Sequence, residues 1–92
     1  MKVSVLEIAQ QELDEAVSYY NSQVAGLGDA FLLEAVAAIE RIRRFPEGWH
    51  PLGENFRRCR LRRFPYGLIY QADKNEILVV AVAHSHRRPS RD

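Results

Sequence analysis

The hydrophobic period of this chain changes between Phe45 and Phe56, and that change decides its fold class. From Ile8 to Phe45 apolar residues return every three or four positions; from Phe56 to Ala83 they return every two or run together. The first spacing lines one stripe of a helix, and the second lines one face of a strand. Ala9, Leu13, Ala16, Val17, Tyr20 and Val24 form one helical stripe, which Gly26 and Gly28 end. Phe31, Ala35, Ala38, Ile39, Ile42 and Phe45 form a second, widened by Leu32 and Val36. Asp29 suits the N-cap of this second helix, and Arg41, Arg43 and Arg44 complement the dipole at its end before Pro46 stops it. Two helices joined by a short glycine-containing link predict an antiparallel hairpin.

The strands follow from the other period. Val3-Ser4-Val5-Leu6 is a β-branched run that predicts a first strand. Residues 46–55 contain Pro46, Gly48, Pro51 and Gly53, punctuation that predicts a loop. In the run Phe56 to Phe64, Cys59 and Leu61 share one face while Arg58, Arg60 and Arg62 share the other. Pro65 breaks that run. Tyr66 to Ala72 predicts a strand with Leu68, Tyr70 and Ala72 on one face, and Asp73 to Glu76 a hairpin turn. Ile77 to Ala83 is apolar on both faces, as for a central strand covered on both sides. The order β-α-α-β-β-β predicts one α+β domain over residues 1–92, an antiparallel sheet packed against an N-terminal helical hairpin. Tyr19 and Tyr20 are expected to pack between helices and Cys59 to be a small buried hydrophobe, while Trp49 either caps the core or meets a partner.

Composition narrows the function classes. The chain is 47% hydrophobic and 27% charged, ordinary for a globular domain. It has no apolar run near the roughly 20 residues that span a bilayer, and Glu7 interrupts the N-terminus before a signal-peptide core could form. Its one cysteine cannot close an intrachain disulfide. Together these predict a cytoplasmic protein with no membrane partner. The net charge of +1 hides an asymmetry: residues 1–45 carry 4 basic and 7 acidic side chains, and residues 46–92 carry 9 basic and 5 acidic. The second half is therefore expected to face an acidic or anionic partner.

The arginines sharpen that expectation. Five of the seven residues from Arg57 to Arg63 are arginine. On a strand, Arg58, Arg60 and Arg62 would stand about 6.5–7 Å apart on one face. Their planar forks suit phosphates and carboxylates in two-point contacts. The plain alternative is a solvated edge strand kept from aggregating by charge. His84 and His86 could move protons beside such cations, or His84 could pack at the core edge with His86 solvated. A metal would need a third ligand, and only His50 and Cys59 remain, with no spacing that links them; neither metal nor cofactor is expected. Tyr66 is a candidate to stack on a base. The chain has no glycine-rich phosphate loop, no convincing Ser-His-Asp order and no paired catalytic carboxylates.

Taken in order, these features resemble the RelE/ParE superfamily of toxins from bacterial type II toxin–antitoxin modules. The resemblance is carried by Ala9, Leu13, Ala16 and Tyr19-Tyr20; Gly28 and Phe31; Ile39, Ile42 and Phe45-Pro46; Arg60 with Phe64-Pro65-Tyr66-Gly67-Leu68-Ile69-Tyr70; the run Ile77 to His84; and Arg87-Arg88-Pro89. It implies the same β-α-α-β-β-β fold and a growth-inhibiting protein neutralised by an antitoxin encoded beside it. The Phe-Pro-Tyr-Gly-Leu-Ile-Tyr strand looks more like the ParE branch, which implies inhibition of DNA gyrase by binding. The RelE branch implies instead a metal-independent endonuclease acting on ribosome-bound mRNA, for which His84, His86, Arg60 and Tyr66 are the candidates. An inactive toxin-like remnant is a third reading. Arg58, Arg60, Arg62, Arg87 and Arg88 are the candidates for anion or partner binding, and a homodimer is left open.

Overall fold

The computed structural model describes residues 1–85. Strand β1 (Lys2–Val5) leads into helix α1 (Glu7–Gln23) and helix α2 (Leu27–Arg44). Four strands follow: β2 (His50–Leu52), β3 (Phe56–Arg60), β4 (Tyr66–Ala72) and β5 (Glu76–His84). They form one five-stranded sheet in the order β1-β5-β4-β3-β2. The helical hairpin covers one face, with α1 against β5 and α2 against β3 and β4. The α+β class and the antiparallel β3-β4-β5 meander read from the sequence are present. The sheet as a whole is mixed, because β1 lies parallel to β5.

Glycines set the hairpin. Gly26 adopts φ 88°, a left-handed conformation in which a side chain is strained, and it turns α1 into α2. Gly28 is needed for space: a Cβ there would lie 2.0 Å from the Val17 carbonyl oxygen. The Gly28 N–H instead donates to Asn21 Oδ1 at 2.7 Å, which ties the two helices together. Gly28 therefore opens α2 and does not end α1. Asp29 is not the N-cap; it lies in the first turn of α2, where an acid still complements the dipole.

The core lies between the hairpin and the sheet. Tyr70, Phe31, Ile42, Leu68, Ile77, Val79 and Cys59 are its largest fully buried side chains. Burial of each large apolar group is worth about 1.5–3 kcal/mol. Ala9, Ala16, Ala35 and Ala38 are also buried, and their small size brings the helices close to each other and to the sheet. Tyr20 joins the core, stacked on Phe31 at 5.4 Å and edge-on to Phe64 at 4.9 Å. Tyr19 does not; it is exposed, as are Val24, Phe45, Leu32 and Val36. The helical stripes are thus narrower than their apolar residues suggested.

Three further differences concern the strands. The segment 46–55 holds β2, a three-residue edge strand paired with β3. Pro51 is tolerated there because an edge strand has one unpaired side. Among the described residues apolar β5 is covered on one face only; Leu78, Ala81 and Ala83 on the other face remain half-buried. A register shift between Ile69 and Tyr70 leaves Val80 as the extra residue of a bulge. The turn before β5 is held by Asp73, whose Oδ1 accepts from the Asn75 and Glu76 N–H groups at 2.8 Å each. Those two bonds draw the Asp73 carboxyl below its ordinary pKa.

Candidate partner-binding surface

Strand β3 fixes where its arginines point. Cys59 is buried toward the helices, so Arg58 and Arg60 project from the opposite face of the sheet. Arg58 pairs with Ile69 of β4 on one side and with His50 of β2 on the other, and Arg60 pairs with Gly67. His50 therefore shares the face of Arg58. Gly67 makes room for the stem of Arg58: a Cβ there would lie 2.9 Å from its Cγ. The Arg58 Nε is buried with no hydrogen-bond partner among the described residues. A buried N–H in that condition gains from an incoming acceptor. The two ion pairs among the described residues are Arg43–Glu40 and Arg63–Glu34, so no described acid neutralises Arg58 or Arg60.

Arg62 does not extend this row. Strand β3 ends at Arg60, and residues 61–65 turn back to β4 through a bond from the Leu61 N–H to the Tyr66 carbonyl at 2.8 Å. Glu34 of α2 pins that turn. Its Oε1 accepts from the Arg62 and Arg63 N–H groups at 2.9 and 3.1 Å, and its Oε2 accepts from Arg63 Nε at 2.6 Å. Burial alone would raise the Glu34 pKa, but these bonds and the Arg63 charge carry it below the ordinary carboxylate value. Arg62 then lies beside Leu33, Val36, Ala37 and Arg44 of α2, on a shallow apolar cavity of about 590 Å³.

The other arginines have structural duties. Arg41 reaches across the sheet end to donate to the Arg60 carbonyl at 3.1 Å and lies 5.9 Å from the centre of the Trp49 ring. Arg57 shares the helix side with Cys59 and donates to the Trp49 carbonyl at 3.0 Å. Trp49 packs against the core and donates to the Arg41 carbonyl at 3.3 Å. The Cys59 thiol is pushed up by burial, against the opposing pull of Arg41, and is a buried hydrophobe as the sequence suggested.

His84 and Tyr66 lie elsewhere. They pair across β4 and β5, in phase with buried Leu68 and Val82, and so face the helices. Their rings meet edge-on at 5.1 Å, and Tyr66 packs at 5.0 Å on Phe31. Both line a groove of about 450 Å³ with Glu12, Glu15 and Tyr19 of α1 and the end of β5. Strand β1 flanks β5 only as far as Val79, and past that point Glu12 Oε1 accepts the Val82 N–H at 2.8 Å. The structure therefore separates the sequence-stated candidates. Arg58 and Arg60 occupy one face, His84 and Tyr66 the other, and Arg62 the α2 side. His86, Arg87 and Arg88 lie outside the described residues.

Sequence reasoning missed Glu34, Glu12 and Gly67. The two acids had a signal: Glu34 lies three residues after Phe31 and four before Ala38, and Glu12 lies three after Ala9 and four before Ala16. An acid inside an apolar helical stripe calls for a dedicated donor. Gly67 had none, because its role depends on which residue crosses it from the next strand.

Comparison with known proteins adds the following. A family model described as the ParE toxin of the type II toxin–antitoxin system parDE matches residues 3–89. Among solved structures, the chain is similar to one from the chromosomal ParDE TA system of P. aeruginosa, at a TM-score of 0.81 and 15% identity, over 91% of this chain and 95% of that one. That likeness is one of fold. No curated protein matches the chain.

Proposed function

The chain belongs to the ParE toxin family of type II toxin–antitoxin systems, and from that premise we propose that it inhibits growth by binding DNA gyrase and is neutralised by an antitoxin encoded beside it. The observation that supports binding is the sheet face that no described element covers. Among the described residues Arg58 and Arg60 stand there without acidic partners, and Arg58 carries a buried N–H still able to donate. Guanidinium pairs of this kind grip phosphate or carboxylate groups. Of the side chains first considered for cleavage, His84 as a proton carrier and Tyr66 as a base stacker lie across the sheet from these cations, and His86 lies outside the described residues. Acid–base catalysis needs the transferring group within hydrogen-bond reach of the reacting atom, and that arrangement favours binding over cleavage.

One observation keeps mRNA cleavage as a second reading: exposed His50 sits in register with Arg58 on the same face. In that reading His50, rather than His84, moves the proton. A single pair of assays separates the two. In a supercoiling assay the purified protein is expected to inhibit gyrase, and Arg58→Ser with Arg60→Ser is expected to lose at least tenfold in potency while keeping the circular dichroism of the parent. If gyrase is untouched and primer extension shows ribosome-positioned mRNA breaks that vanish in His50→Ala, the binding reading fails and the second replaces it.

A further inference from the structure

Helix α1 carries Glu7, Glu12, Asp14 and Glu15 and no lysine or arginine. Glu12 and Glu15 are three positions apart and Tyr19 is four beyond, so the three side chains share one face. That face lines the groove of about 450 Å³ at the end of β5, with Tyr66 and His84 on the sheet side. Like charges at this helical spacing repel each other, and no lysine or arginine among the described residues lies on the lining to offset them. Glu12 uses Oε1 to hold the Val82 N–H. Glu15 is exposed and belongs to neither ion pair of the described residues. The Tyr19 side chain beside it is 57% exposed. We propose that this groove is a binding site for a guanidinium group, held by the Glu12 and Glu15 carboxylates and stacked on the Tyr19 ring. The site lies across the sheet from Arg58 and Arg60, so the inference does not depend on the gyrase reading.

The chemistry of the lining selects that group. Two carboxylates repel an anion, and a neutral apolar ligand would bury them without a partner, which is costly. Among the described residues no group of three His, Cys, Asp or Glu side chains is placed to hold a metal ion, so Glu12, Glu15 and His84 do not converge on a bare cation. An organic cation needs no such convergence. An ammonium is compact and strongly hydrated, whereas a guanidinium is planar, more weakly hydrated and carries five N–H donors. Its edge can serve two carboxylates while its flat side lies on a tyrosine ring. His84 is the one basic side chain on the lining. Neutral, it adds a further acceptor; protonated, it would compete with the ligand for the two acids.

The test follows the amide resonances of the full chain as ligand is added. The probes are agmatine, a free small guanidine, and N-acetyl-arginine amide, which stands for an arginine on another protein. The lysine and norleucine amides are the controls. Saturable shifts confined to residues 12–19 and 82–84 are expected with a guanidine probe. The tighter of the two names the source: agmatine a free small molecule, the arginine amide a protein side chain. Glu15→Gln and Tyr19→Ala are expected to weaken binding at least fivefold each. Asp14→Asn, which removes an acid of α1 outside the groove, should leave it within twofold. All three positions are exposed, so folding is checked by an unchanged melting curve. The lysine amide should bind at least threefold more weakly than the arginine amide, and the norleucine amide not at all. No saturation with either guanidine overturns the proposal, as does full affinity in Glu15→Gln. An equal loss in Asp14→Asn overturns it in favour of a diffuse acidic field, and equal binding of the lysine or norleucine amide overturns the choice of guanidinium.

Discussion

At the scale of single residues, two positions hold the fold through geometry that no neighbour can replace. Gly28 sits where any side chain would enter the Val17 carbonyl. Gly28→Ala should therefore force the helices apart and cost about 1–3 kcal/mol, the usual range for overpacking, which urea unfolding of the purified chain will measure. Glu34 fixes the turn after β3 with three hydrogen bonds. Its lowered pKa gives the sign of its pH dependence. The ionised form is favoured in the folded state, so its contribution is full above the ordinary carboxylate pKa and fades as pH falls through the lowered value. Glu34→Gln should cost about 1–2 kcal/mol near neutral pH and flatten the acid side of the stability curve. A parallel loss at every pH would show that the charge is not what matters.

At the scale of elements, the sequence carried the helical hairpin and the β3-β4-β5 meander plainly, because each rests on a periodicity that local burial enforces. It carried the arginine row only in part. Alternation puts Arg58, Arg60 and Arg62 in phase, and it holds for the first two, which β3 contains. It fails at Arg62 because the backbone there is bonded to Glu34, twenty-eight positions earlier, a contact that no period encodes. The start of α2 was misplaced for a related reason. Asp29 has the chemistry of a cap, but the turn is made two residues before α2's second position by Gly26, whose φ of 88° is a backbone property. Strand β2 was hidden by Pro51, which argues against an interior strand and is silent about an edge. The double-sided apolar pattern of β5 suggested two covering layers where the described structure has one.

At the scale of the whole molecule, stability is bounded at high pH by the core itself. Tyr70 is fully buried and donates to the Pro46 carbonyl at 2.6 Å. Burial, partly opposed by Arg57, pushes its hydroxyl from 10.0 up to about 12. The neutral form is the one that folds, so this contribution is complete below the unfolded pKa and is lost as pH rises from there through the folded value. The Tyr70 contribution should hold to about pH 10 and then fall, steepening a decline that the buried Cys59 thiol, also pushed up, begins at lower pH. Tyr70→Phe should melt lower near neutrality, having lost the bond to Pro46, and should show a shallower alkaline decline; an equally steep decline would assign it to other groups. Among the described residues no helix is long and apolar enough to cross a membrane, and the charge asymmetry read from the sequence survives folding in a specific form. Among the described residues, Arg58 and Arg60 face away from the helices, and Arg44 and Arg62 border a shallow cavity on α2.

The half of β5 that no described strand flanks has a bearing on how such a chain survives at high concentration. A bare β-border invites an identical neighbour to annex it, and repetition of that step grows a fibre. Here the would-be recruit must first dislodge the Glu12 carboxylate from the Val82 amide and then tolerate Glu15 nearby. The acid acts as a latch on the border.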